Sequence, residues 1–292
     1  MVSNKILISI CVILLSIEFA SAATLNVGQG QTYTTIQSAI DAANTGDVIS
    51  VSEGTYSENL VVKKNGISII GSNKEKTVID GKKTGSGIRV DGANNVKISG
   101  FTVQNSGGSG KEDGGITLYS ANNNFIANVI LVNNVVGISI YSESNSNIVS
   151  GNDLKSSGRY GISIFKSNDN KIYNNNIQNN KIGIYADSAR TNSIYSNNFI
   201  DNSDQAYDNS GKNSWDDGKS GNYWSKYAIL GGANAKDNYP LSKPVTIKEE
   251  EVPAPAEQKK AEGETGKPSP GFTGMAALGL LVMVWVLVAR RR

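Results

Sequence analysis

Carboxylates, aromatic rings and a few cations recur at matching places along this chain, and histidine is absent from all 292 residues. General acid–base and nucleophilic catalysis need a base or nucleophile and an acid, and often a cation that holds a negatively charged group. Without histidine, every mechanism that uses imidazole is excluded. Paired carboxylates remain as candidates. Asp91 and Asp187 stand in equivalent places, and Asp216 and Asp217 are adjacent. Between Asp91 and Asp187 the equivalent place is filled by Tyr119, Tyr141 and Phe165. Aromatic faces stack on sugar rings. Two longer intervals bring Lys111, Glu112 and Asp113, and then Arg159 and Tyr160, beside that series. An arginine can hold a sugar carboxylate through two parallel hydrogen bonds. The expected glycan-contacting set is therefore Tyr119, Tyr141, Phe165, Arg159, Tyr160, Lys111 and Asp113. No residue is assigned a catalytic or metal-binding role, and no cofactor is expected.

These equivalences come from a repeat. The phrase reads Gly66-Ile-Ser-Ile, Gly87-Ile-Arg-Val, Gly115-Ile-Thr-Leu, Gly137-Ile-Ser-Ile, Gly161-Ile-Ser-Ile and Gly183-Ile-Tyr-Ala, with glycines 21, 28, 22, 24 and 22 residues apart. Such a period marks a solenoid, in which each repeat buries its apolar face only on its neighbours. Within a repeat, Ile162, Ile164, Ile172 and Ile177 alternate with polar residues in short runs separated by Asn, Ser and Gly. That is strand, turn, strand, turn, strand. The chain is thus expected to be all-β, a right-handed parallel β-helix of about eight coils, stacked about 4.8 Å apart. Asn170, Asn175 and Asn180 recur as Asn192, Asn197 and Asn202, and Asn147 and Asn152 precede them with Ser157 in the third place. Stacked amides at the turns explain these columns without a ligand. All six prolines lie at or beyond residue 240, clear of the ladders they would interrupt.

The two ends read as addresses. Residues 1–22 carry Lys5, an apolar run and Ala20-Ser21-Ala22, the pattern of a secretory signal. The only cysteine, Cys11, lies inside it, so the exported chain has no disulfide. Residues 23–244 are the β-helix with its caps. Residues 245–269 are rich in Glu, Lys, Pro and Ala and read as a disordered spacer. Residues 270–292 hold Pro270-Gly271-Phe272, an uncharged run to Ala289 and three arginines, long enough to span a bilayer. The formal charge is +2, with no basic stripe to suit nucleic acid.

The tail resembles the PGF-CTERM sorting signal of archaeal surface proteins. The resemblance implies removal of the tail by an archaeosortase-type enzyme and attachment to a membrane lipid. The repeats and their flanks resemble the NosD-like, carbohydrate-binding and sugar-hydrolase (CASH) class of β-helix within the pectin-lyase-like superfamily. The entry is Tyr33 to Asn44, a short amphipathic helix with Ile36, Ala39, Ile40 and Ala43 on one face, followed by Gly46-Asp-Val-Ile-Ser-Val. An open solenoid end needs such a cap. The closing motif is Gly221-Asn-Tyr-Trp-Ser-Lys-Tyr227 with Asp237-Asn-Tyr-Pro-Leu241. The link between its halves lacks an acidic, glycine-rich stretch, so no calcium site is placed there. Trp215, Tyr223 and Trp224 are either a sugar-binding cluster or a terminal plug. Copper is not expected as a partner despite the NosD resemblance, because it favours His, Cys and Met, and beyond the signal only Met275 and Met283 remain.

Three functions stay open at this level: a cell-surface glycan binder, a rigid envelope component, and a lyase or hydrolase of acidic polysaccharides. Asp91 and Asp187 lie four coils apart, about 19 Å, too far for an acid and base pair. The non-catalytic reading is preferred. The alternative for the aromatic series is ordinary cross-strand packing.

Overall fold

The computed structural model describes residues 22–108, 112–231 and 235–253. The signal, the sorting tail and Lys111 lie outside these residues. The described chain is a parallel β-solenoid with three sheets of eight strands each. Sheet A runs from Thr24–Val27 to Ser193–Tyr195, sheet B from Gly54–Tyr56 to Tyr223–Trp224, and sheet C from Leu60–Val62 to Ile229–Leu230. Each coil passes from A through B to C. Every strand pairs in parallel with its equivalent one coil away, as Ile138, Ile162 and Ile184 do in sheet C.

Alternation explains the core. In Tyr160–Phe165, Ile162 and Ile164 point inward and are fully buried, as are Ile172 in sheet A and Ile177 in sheet B. The repeating glycine has a local cause. A Cβ on Gly161 would sit 2.7 Å from the Gly183 carbonyl oxygen and 2.8 Å from Ile177 Cγ2, so successive coils approach there too closely for a side chain.

Three internal amide ladders line the corners. At the C–A corner, Asn124, Asn147, Asn170 and Asn192 each pass an amide hydrogen to the next residue's Oδ1 at 2.8–3.0 Å, ending on Asn213. At the A–B corner, Asn152, Asn175 and Asn197 do the same at 2.9–3.0 Å, ending on Asn222. At the B–C corner Asn180 donates to Asn202 at 3.0 Å, but Ser157 interrupts the series below Asn180. Its hydroxyl is buried without a partner among the described residues. Many residues just outside the ladders adopt positive φ, including Asn128, Asn174, Asn179 and Asp201, and Asn and Asp tolerate that region best after glycine.

Both ends are closed. The helix Ile36–Ala42 buries Ile36, Ala39 and Ile40, with Ala43 beside them. Thr35 caps it, and the Glu58 carboxylate accepts the Ile36 and Gln37 amides at 3.0 Å. The Gln37 side chain satisfies both backbone groups of Val61 on the first strand of sheet C, at 2.9 and 3.1 Å. At the other end Trp224 stacks on Phe199 with centroids 4.2 Å apart, and Trp215 is fully buried beside them. The indole nitrogens donate to Asp237 and Asp208, at 2.8 and 3.1 Å. Trp215 and Trp224 therefore form the plug, not an exposed sugar cluster; Tyr223 is half-buried alongside.

One boundary differs from expectation. Residues 245–253, expected as the start of the spacer, lie against the outside of the A–B corner and hydrogen-bond to Asn198, Asn174 and Asn128. The composition of this stretch, charged and poor in large apolar groups, signals a chain that cannot build a core. It says nothing against binding through the backbone.

Candidate functional site

The outer face of sheet C carries the expected column. Asp91, Tyr119, Tyr141, Phe165 and Asp187 are successive register partners near the C–A corner. The rings are half-buried, not freely exposed. Tyr119 and Tyr141 touch at 4.9 Å between centroids, tilted by 54°. Phe165 instead lies under the Lys166 amine, 5.1 Å from its centroid.

Arg89, from the neighbouring register column, reaches onto this one, and the expected set omitted it. It is the outward residue of Gly87-Ile-Arg-Val. Its guanidinium lies 4.5 Å from the Tyr119 centroid, donates to the Tyr141 hydroxyl at 2.7 Å, and is 3.8 Å from the Asp91 carboxylate. A guanidinium on an aromatic face, with one edge held by a hydroxyl, is a preorganised cation. The signal was available in the repeat: in the five phrases from Gly87 on, the third place lies on the outer side of sheet C, whereas the phrase at Gly66 falls in sheet A and its Ser68 is buried.

Down the middle of the face, that third place is Arg89, Thr117, Ser139, Ser163, Tyr185 and Tyr207. Thr117, Ser139 and Ser163 are short and buried beneath their neighbours. The Glu112 carboxylate arrives from the longest interval and accepts the Ser139 hydroxyl at 3.3 Å. Small hydroxyl residues thus form a floor beside the taller aromatic column.

Tyr160 and Arg159 do not rim the first column. Tyr160 pairs in register with Val136 and Ile182, at the start of the strand and five residues from Phe165, about 16 Å along it. There it founds a second stack: Tyr160 on Tyr185 at 4.7 Å, and Tyr185 on Tyr207 at 5.2 Å, nearly parallel. The Arg159 guanidinium lies 4.8 Å from the Tyr160 centroid and bonds its hydroxyl at 3.1 Å. Burial, then Asp187 and the Tyr160 and Tyr207 hydroxyls, push the Tyr185 phenol above its ordinary value, against the opposing pull of Arg159. Asp113 is half-buried in the same insertion as Glu112. Both insertions enter at the B–C side. One aromatic column runs near the C–A corner, and the second stack passes from Tyr160 at the strand start onto Tyr185 and Tyr207, which continue the middle column after Ser163.

Asp91 and Asp187 close the two ends of the first column, separated by four register steps. Asp187 accepts the Asn209 amide at 3.0 Å. Asp216 accepts the Asn238 amides at 2.9 and 3.0 Å, within the terminal plug, and takes no part in this face.

A parallel β-solenoid with a broad, aromatic-edged outer face defines the structural class. The family model described as periplasmic copper-binding protein (NosD) matches residues 22–229, and the chain belongs to that family. No curated protein matches the chain. Among solved structures, it is similar to a pectin methylesterase from Erwinia chrysanthemi, with 15% identity and a TM-score of 0.45, over 62% of this chain and 65% of that one. It is also similar to a Bacillus pectate lyase in complex with trigalacturonate, at 17% identity and a TM-score of 0.46, over 80% and 90% of the two chains. A periplasmic alginate epimerase aligns at 16% identity and a TM-score of 0.46, covering 74% of this chain but 44% of that enzyme.

The family description names copper, and this chain's donors do not fit it. The described residues contain no histidine, cysteine or methionine, the donors copper prefers. Nor do three or more carboxylates converge among the described residues to form another metal site. Among the described residues no helix is long and apolar enough to cross a membrane.

Proposed function

We propose that this is an exported, surface-held protein that binds a glycan along the outer face of sheet C without cleaving it. The observation that carries the reading is the register-matched column of Tyr119, Tyr141 and Phe165 with the Arg89 guanidinium laid against it from the neighbouring column. Repeating rings suit a polymer of repeating sugar rings. Thr117, Ser139 and Ser163, short and buried beneath their neighbours, keep the strip beside the rings low. The periplasmic description of the family agrees with export. Retention at the surface rests on the signal-like residues 1–22 and on the tail from Pro270, Gly271 and Phe272, which an archaeosortase-type enzyme would exchange for a membrane lipid.

The test is a screen of the purified chain against acidic and neutral polysaccharides, scored for binding and for turnover. Tyr141→Ala should weaken binding of the best ligand at least tenfold. Because the ring is half-buried and its hydroxyl holds Arg89, the same change should also cost about 1 kcal/mol of stability. Undiminished binding by a folded Tyr141→Ala chain would remove the column from the site.

One observation favours the enzymatic alternative, a lyase or hydrolase of acidic polysaccharide: the Glu112 carboxylate held over the floor by Ser139. It is a single carboxylate, and glycoside hydrolysis ordinarily uses two. Turnover by the native chain that disappears in Glu112→Gln would decide for catalysis.

A further inference from the structure

The segment 245–253 reads Val-Thr-Ile-Lys-Glu-Glu-Glu-Val-Pro and runs back along the A–B corner, from the last coils toward the first. Its main contacts have one form. The Asn198 side chain accepts the Val245 amide and donates to the Val245 carbonyl, both at 2.8 Å. Asn174 treats Lys248 in the same way at 3.2 and 2.8 Å, and Asn128 treats Glu250 so at 2.8 Å for each bond. A side-chain amide that gives and takes a hydrogen bond with one residue is reading both backbone groups of that residue. Only an extended polypeptide repeats a donor and an acceptor in that arrangement.

The coil between Asn128 and Asn174 carries Gly151 at the same corner, with φ +69°. A Cβ there would come 3.1 Å from Glu250 Cγ and 3.2 Å from the Lys248 carbonyl oxygen. The corner therefore has no side chain where the segment crosses and an amide on either side. Ser150 and Asn174 both donate to one Glu250 carboxylate oxygen, at 2.6 and 2.9 Å. Lys74 pairs with Glu249 at 2.8 Å, and the Lys97 amine reaches the Pro253 carbonyl at 2.6 Å.

We propose that the A–B corner is a peptide-docking track. Its ligand is an extended backbone, supplied in cis by residues 245–253 and, where that segment is disengaged, by the same segment of a second copy. Backbone-directed bonds do not require covalent connection to the same solenoid. Residues 242–244, which join the segment to the plug, are exposed. High effective concentration favours the cis segment while it is free to dock.

The full-length chain tests this by hydrogen exchange and peptide binding. The amides of Val245, Lys248 and Glu250 should exchange slowly in the native chain. In Asn128→Ala/Asn174→Ala the Lys248 and Glu250 amides should exchange at least tenfold faster, with core strands unchanged. Glu250→Pro removes one of the donors and should release the cis segment. A fluorescein-labelled peptide of residues 245–253 should then bind Glu250→Pro saturably. It should bind at least tenfold more weakly to the native chain, whose track is filled, and to Glu250→Pro carrying both alanines. If the double alanine does not fold, Gly151→Asp replaces it, since Asp tolerates the left-handed backbone and would place a charge against Glu250. Unprotected amides at 245–253 in the native chain would overturn docking. Protected amides with no peptide binding, or with equal binding by all three chains, would overturn the exchange between copies.

Discussion

Asn174 and Asn175 are neighbours of one type with opposite duties. Asn175 turns inward and links Asn152 to Asn197, while Asn174 turns outward and holds Lys248. The inward role was legible, because a residue recurring at the repeat period marks a column. The outward role was not, since Asn128 and Asn174 are separated by Gly151 and form no unbroken series. Ser157 shows what the column contributes. It stands where Asn180 and Asn202 stand in later coils, and its hydroxyl has no partner among the described residues. Ser157→Asn should link Asn134 to Asn180 and raise stability by about 1 kcal/mol, read as a higher melting temperature. An unchanged or lower value would mean that the coil, one residue longer after Ser157, cannot seat the amide. The aromatic column was also found by counting. Its departure from expectation is chemical: Arg89 was visible in the phrase, but only geometry shows a guanidinium lying on Tyr119.

Among the elements, the terminal plug depends on carboxylates. Burial alone would raise the Asp216 carboxyl, but the backbone and side-chain amides of Asn238, the Gly218 amide and nearby Lys236 outweigh it and hold it below the ordinary value. A carboxyl lowered in the folded state contributes stability above its unfolded value, and that contribution is lost as pH falls through the folded one. Asp80 follows the same direction: burial is outweighed by the Lys82 amide, Gln104 and Asn105. The melting temperature should therefore be nearly level from neutral pH to about pH 4 and fall below it. Asp216→Asn should melt lower at pH 7 and lose less on acidification; an identical acid profile would remove Asp216 from the cause. The sequence signalled this plug through its tryptophans, yet left a sugar-binding cluster open. The acceptors that decide the matter, Asp208 and Asp237, are brought to the indoles only by folding.

At the scale of the whole solenoid, three sheets and three corners set what faces what. The A–B corner lies opposite sheet C, so the docked segment and the candidate glycan face are on opposite sides. Pro253, the last described residue, lies beside Lys97 in the fourth of the eight strands of sheet A, away from the plugged end. On the proposed anchoring, mass spectrometry of the native protein should lack peptides beyond the Pro270 junction and show a lipid adduct. An intact terminus ending in Arg292 would refute that processing. The period made the solenoid legible because stacking repeats the same physical demand in every coil. The path of residues 245–253 is used once, and a single use leaves no period to read.

The way the tail runs has a mechanical consequence. A load applied beyond Pro253 meets the bonds to Glu250, Lys248 and Val245 in turn, as a zipper opens, before any coil is strained. Nine residues drawn straight lengthen the chain by about 30 Å. Pulling a single full-length molecule between residue 23 and the tail should give a small, reversible extension of that size at low force, followed by the larger steps of coils unravelling. Asn128→Ala/Asn174→Ala should erase the first step and leave the others. The corner would then act as a resettable slack reserve, sparing the fold when what it grips moves relative to what holds it.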